Sequence, residues 1–259
     1  MPTDFLEVTE LAGDEVSAEQ VERMWHRYVW AGEYCRDRDV IEAACGTGQG
    51  LGYLAGLARG LTGGDYSQAM VDRAKAHYGD RVNVIRFDAQ QMPFPDRTAD
   101  VIMLFEAIYY LPSAEAFVKE ARRVLRPGGR VLIATANKDL YDFNPSPYSH
   151  RYYGAADLTA LFAAQGFRTE LAGMTRVDAL PLRQRLLRPV KSLAARFNLI
   201  PETMAGKKIL KRLVFGGLVT MPAEITAEMF AYTEPEPVPT DCPDSVHKVL
   251  YCVATLNED

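Results

Sequence analysis

Between residues 40 and 136, short apolar runs alternate with segments of helical pattern, and that alternation constrains the fold more than any single residue does. Residues 40–44, 61–65, 82–87, 101–105 and 130–136 read as strands. The run Val101-Ile102-Met103-Leu104-Phe105 is apolar throughout, as a strand buried on both faces requires. Residues 51–58, 69–78 and 114–125 read as the intervening helices, the last stopped by Arg126-Pro127-Gly128-Gly129. Ser17 and Gln20 form a capping box that opens an N-terminal helix reaching about Tyr34. A helix over 157–165, ended by Gly166, and strands over 167–176 and 247–256 follow. Repeated β-α-β units imply an α/β fold, a Rossmann-like seven-stranded and mostly parallel sheet with helices on both faces.

Apolar residues at helical spacing between Leu182 and Val214 predict a helical insertion before the last strand. Nine basic residues and one acidic residue, Glu202, lie between Arg183 and Arg212, a local charge of +8 against −5 for the chain. The Pro-rich stretch 234–244 reads as an extended connector. The expected organisation is therefore a core of residues 1–177 with 246–259, interrupted at 178–245 by a basic helical insertion, or lid, and the connector. The net acidity argues against a nucleic-acid partner. Four scattered cysteines and four histidines provide no metal-ligand spacing. The N-terminus has no signal-peptide pattern, and no apolar run approaches the ~20 residues of a membrane span, so a cytoplasmic location is expected.

Ligands of such sheets bind beyond the carboxyl ends of the strands. The first strand ends in Glu42-Ala43-Ala44-Cys45-Gly46-Thr47-Gly48-Gln49-Gly50. A dinucleotide fingerprint needs a third glycine one residue later, which disfavours a nicotinamide oxidoreductase. The second strand ends at Asp65, about 20 residues on, where a carboxylate can accept from both ribose hydroxyls; Ser67 already supplies the cap of the next helix. Asp88 follows the third strand, where an adenine amino group could lie, and Glu106 follows the fourth.

Together with Gly64-Asp65-Tyr66-Ser67-Gln68-Ala69-Met70, Asp88-Ala89-Gln90-Gln91-Met92-Pro93-Phe94 and Arg123-Val124-Leu125-Arg126-Pro127-Gly128-Gly129, these segments resemble the class I S-adenosylmethionine-dependent methyltransferases. The resemblance runs from about Trp25 to Phe167. It implies S-adenosyl-L-methionine as cofactor and S-adenosyl-L-homocysteine as product. It also implies Glu42 near the methionine amino group, with Gly46 and Gly48 under the methionine and ribose and Ala44 in the same turn. Asp65 would hold the ribose, Tyr66 and Met70 would flank the adenine, Asp88 and the Ala89 amide would meet its edge, and Phe105 would lie near the methionine. Arg27-Tyr28 matches a pair placed near the cofactor carboxylate in related enzymes.

Methyl transfer from a sulfonium is a displacement, so the enzyme chiefly aligns the reactants. A hydroxyl acceptor also needs a base. Glu106, Tyr110 and His150 are the catalytic candidates, with Tyr109 and Asp139 nearby, and Tyr109, Tyr110, Tyr148, Tyr152 and Tyr153 are candidates for an aromatic wall. The expected function is methylation of a small molecule, a hydroxyl of a sugar, nucleotide-sugar or other polar or anionic metabolite. The basic insertion adds a lipid-linked or membrane-surface substrate to that range. The alternative is a non-catalytic S-adenosylmethionine-binding scaffold or regulatory protein. The sequence sets no oligomeric state.

Overall fold

The computed structural model describes residues 9, 11–178 and 217–258. Strand β1 (Glu15–Ser17) leads into helix α1 (Ala18–Cys35), followed by β2 (Asp39–Ala43), α2 (Leu51–Ala55), β3 (Gly60–Asp65), α3 (Gln68–Tyr78), β4 (Asn83–Arg86) and β5 (Ala99–Phe105). Then come α4 (Ala114–Val124), β6 (Leu125–Ala136), α5 (Ala155–Ala163), β7 (Phe167–Arg176), β8 (Leu218–Thr220), β9 (Glu236–Val238) and β10 (His247–Leu256).

The main sheet runs β4-β3-β2-β5-β6-β10-β7-β9. Its first five strands are parallel, while β10 and β9 run antiparallel to their neighbours. Successive strands progress one way from β2 through β3 to β4 and the other way from β5 to β6. The switch between β2 and β5 opens a crevice at their carboxyl ends. Side-chain alternation along β5 divides the core in two. Ile102 and Leu104 pack with α4 and α5 through Phe117, Val118, Leu158 and Phe162. Val101, Met103 and Phe105 pack on the other face with Val21, Trp25, Tyr28 and Cys35 of α1.

The Rossmann-like class holds, with two differences of detail. Arg126-Pro127-Gly128-Gly129 lies inside the long strand β6, entered through a register shift between Ala99 and Val101 and a left-handed Gly128 (φ +71°). The 234–244 stretch contributes an eighth strand, β9. Its Pro237 is tolerated because β9 pairs only with β7, at the sheet edge. The expected helices between Leu182 and Val214 lie outside the described residues. The described part of the insertion is extended: β8 pairs with β1, and Met221 and Ile225 pack against α1. Trp25 Nε1 donates to the Thr226 carbonyl (2.8 Å) and the Ile225 amide to that of Gln49 (2.9 Å), which straps residues 221–226 over α1 and the glycine turn.

Arg123, from the last of the shared motifs, donates to the carbonyls of Met92 (3.0 Å) and Phe94 (2.8 Å) and to Glu120, clamping the loop after β4. Beyond β6, the buried Asn137 amide donates to the carbonyls of Asp244 (2.7 Å) and His247 (2.9 Å), fastening the connector to the sheet. Asn137→Ala would strand these buried acceptors at a cost of about 1–3 kcal/mol. Urea unfolding should show that loss; a change below about 0.5 kcal/mol would mean the clamp is not structural.

Candidate functional site

A cavity of about 590 Å³ lies at the switch point. Its floor is built by the turns after β2, β3, β4 and β5, and its wall by one face of α1 and the start of β10. Two non-glycine residues there hold left-handed backbone: Ala44 (φ +57°) directly after β2 and Glu106 (φ +50°) directly after the adjacent β5. Backbone strain of this kind concentrates at functional sites.

The glycine turn is shaped by its contacts. Gly46 (φ +59°) faces open space, with Thr9 Cγ2 the nearest atom to an added Cβ at 3.7 Å. Its amide donates to Asp65 Oδ2 (3.0 Å), and the Ser67 amide donates to Asp65 Oδ1 (2.9 Å), so the Asp65 carboxylate is fixed at the cavity edge. Gly48 (φ +85°) turns the chain inward, and its carbonyl accepts from the Tyr78 hydroxyl (2.6 Å). At Gly50 a Cβ would lie 2.2 Å from the Tyr28 ring. The early third glycine thus makes room for an aromatic ring from α1.

Through that gap the Tyr28 hydroxyl donates to Glu42 Oε1 (2.6 Å). Glu42 is 1% exposed, and its second oxygen has no hydrogen-bond partner among the described residues. Burial pushes its carboxyl up to about 7, against the smaller opposing effects of the Tyr28 hydrogen bond and the Arg27 charge. A buried carboxyl with one unsatisfied oxygen, four residues before Gly46 at the cavity, suits a cation such as the methionine ammonium. Asp65 and Asp88 at the ends of β3 and β4 suit the ribose and adenine. These residues fit S-adenosylmethionine.

On the opposite side, Glu106 accepts from the Tyr109 hydroxyl (3.0 Å) and lies 3.9 Å from Arg27 Nη1. Tyr109 stacks on Tyr152 (centroids 4.3 Å apart) and meets Tyr110 edge-on. Burial raises the Tyr109 hydroxyl well above its ordinary range, so it acts as a donor and not as a phenolate.

Of the residues the sequence nominates, Arg27, Tyr28, Ala44, Gly46, Asp65, Tyr66, Asp88, Ala89, Phe105, Glu106, Tyr110 and His150 all line the cavity. Glu42 lies beneath the lining, reached through Tyr28. Gly48 and Met70 do not line it: Gly48 faces Leu51 and Tyr78, and Met70 is buried in α3, 1% exposed. His150 is exposed at the rim, its amide donating to the Tyr109 carbonyl (2.8 Å). In the aromatic set, Tyr109 and Tyr110 form wall, Tyr152 buttresses Tyr109, and Tyr148 and Tyr153 lie outside the lining, as does Asp139. Sequence reasoning missed Gln20, Arg23, Met24, Lys248 and Tyr251. The three on α1 share the three- and four-residue spacing of Arg27 and Tyr28, which is the signal that could have found them. No comparable signal marks Tyr251.

Glu42 also makes stability depend on pH. Its folded value lies above the ordinary carboxyl range, so the contribution is full below about 4.5 and is lost as pH rises through about 7. The ligand-free chain should lose on the order of 3 kcal/mol across that window. Glu42→Gln should flatten the profile of urea unfolding; an unchanged slope would place the effect on another group.

A family profile described as a methyltransferase domain matches residues 41–133, the span from β2 into β6. A protein of Mycolicibacterium smegmatis named a probable S-adenosylmethionine-dependent methyltransferase is 37% identical over 156 residues, 56% of this chain and 60% of the relative. A phthiotriol/phenolphthiotriol dimycocerosates methyltransferase of Mycobacterium ulcerans is 32% identical over 130 residues, 49% of this chain and 47% of that one. The chain thus spans about half to three-fifths of the length of these curated relatives. The crystal structure of the YcgJ protein from Bacillus subtilis aligns over 93% of this chain and 99% of its own with a TM-score of 0.57 at 17% identity, a likeness of fold. Motifs, fold and cavity agree with these matches: residues 41–133 match a methyltransferase domain, and the relatives are named methyltransferases, the first of them S-adenosylmethionine-dependent.

Proposed function

We propose that this chain transfers a methyl group from S-adenosylmethionine to a hydroxyl of a small polar acceptor, of the sugar, nucleotide-sugar or related anionic class. The observation that carries this reading is one cavity holding a buried carboxyl under its cofactor end and a second, hydrogen-bonded carboxylate across from it. When bound, the sulfonium cofactor supplies an electrophilic methyl group. Glu42 holds the ammonium with Tyr28 as its fixed donor, and Asp65 accepts from the ribose hydroxyls. Glu106 takes the acceptor's proton. It is the best placed of the three base candidates, because Tyr109 and Arg27 fix its carboxylate toward the cavity. Tyr110 donates to Ser146 Oγ (3.5 Å), and His150 sits in solvent at the rim, so both border the acceptor and leave the proton to Glu106. Tyr109 and Tyr110 form the cavity wall beside Glu106.

A lipid-borne acceptor is a second reading. The relative named for phthiotriol and phenolphthiotriol dimycocerosates supports it, as does the +8 stretch between Arg183 and Arg212. Among the described residues no helix is long and apolar enough to cross a membrane, so such an acceptor would be met at the surface.

Two variants test the assignment. Asp65→Ala should weaken S-adenosylhomocysteine by about 1.5–3 kcal/mol, since a charge-assisted acceptor pair is lost. An unchanged affinity would misplace the ribose. Tritiated methyl transfer can be followed over a panel of sugars, nucleotide-sugars and lipid-linked saccharides. Glu106→Gln should slow it by roughly 10²–10⁴ while leaving S-adenosylhomocysteine affinity intact. Label entering only amines, or a rate within a few-fold of the parent, would rule out the base-assisted hydroxyl reading.

A further inference from the structure

Along α1, Gln20, Arg23, Met24, Arg27 and Tyr28 all face the cavity, and they differ in distance from the cofactor end. Tyr28 marks that end through its bond to Glu42. At 1.5 Å of rise per residue, Arg27 lies beside it and Arg23 about 7.5 Å farther along the helix axis. Lys248, at the start of β10, is drawn to the same outer turn by its 2.6 Å pair with Glu19, one turn before Arg23.

The three cations of this wall are differently engaged. Arg27 has Glu106 at 3.9 Å, and Lys248 has Glu19. Arg23 forms no ion pair among the described residues; its Nε, like that of Arg27, is shielded from solvent with no hydrogen-bond partner there. Asp65 and Asp88 stand across the cavity at the ends of β3 and β4, while Glu19 and Glu106 are occupied as described. A guanidinium that lines a cavity with no carboxylate paired to it among the described residues is a fork for an oxyanion.

We propose that Arg23, with Lys248 beside it, is the subsite for an oxyanion carried by the methyl acceptor, a phosphate or a carboxylate. This rests on the methyltransferase reading for the word acceptor, and deepens it. An anionic arm docked on Arg23 leaves the acceptor's reactive group to extend along α1 toward Glu106 and the cofactor end. Bound there, the anion is kept clear of Asp65 and Asp88, which would repel it.

The test uses the full chain saturated with S-adenosylhomocysteine. Calorimetric titrations with inorganic phosphate and, separately, acetate are run at constant ionic strength. At least one anion should bind in the millimolar range. Arg23→Gln should weaken it about tenfold or more and leave S-adenosylhomocysteine affinity within twofold. Tighter phosphate indicates a phosphorylated acceptor, tighter acetate a carboxylated one. The proposal is overturned if neither anion binds, if Arg23→Gln binds as the parent does, or if the anion displaces S-adenosylhomocysteine and so occupies a cofactor position. Failure of S-adenosylhomocysteine to bind at all would strike the methyltransferase reading instead. Anion binding lost in Arg23→Gln would then still define the subsite.

Discussion

The site depends on the hydrogen bond from the Tyr28 hydroxyl to Glu42, 2.6 Å long and closed off from solvent. It joins α1, an element outside the repeating β-α units, to the last turn of the central strand. A buried carboxyl is unfavourable in its charged form, and here a phenol donor and the Arg27 charge only partly offset burial. Its second oxygen has no hydrogen-bond partner among the described residues, which is what the proposed ammonium would answer. Gly50 has no side chain because Tyr28 needs that volume, and Gly48 turns the chain under Tyr78. The glycine turn therefore reads as packing for α1 as much as clearance for a ligand.

That arrangement explains what could be read from sequence and what could not. The parallel strands were legible because Val101 to Phe105 and its counterparts are apolar runs between helix signals, and a buried parallel sheet has no other way to be written. The capping box at Ser17 and Gln20 placed α1 accurately, and both hydrogen bonds of the box are present. Arg126-Pro127-Gly128-Gly129 does stop α4, at Val124. That it also belongs to β6 was not legible, because the strand absorbs it through a register shift and a left-handed glycine. The edge strand Glu236–Val238 was hidden by its proline, which matters only where a ladder bond is needed.

Residues at the site follow the same division. Asp65, Asp88 and Glu106 stand at strand ends, where the topology requires ligand groups, and each lines the cavity. Met70 belongs to a shared motif and is buried in α3, outside the cavity lining. Arg123 likewise clamps the loop after β4. Lys248 and Tyr251 come from the last strand, more than 200 residues from α1, and only the antiparallel return of β10 beside β6 brings them to the cavity. No local pattern encodes such a meeting.

The strand-end acids, the glycine turn and the buried Glu42 carboxyl all serve one claim, that the cavity is built for S-adenosylmethionine. Titration calorimetry of the unmodified chain with S-adenosylhomocysteine, beside NAD, tests it most directly. The account predicts micromolar binding of the former, about −8 kcal/mol, and no heat with NAD. Silence with S-adenosylhomocysteine, or binding of NAD in its place, would contradict it.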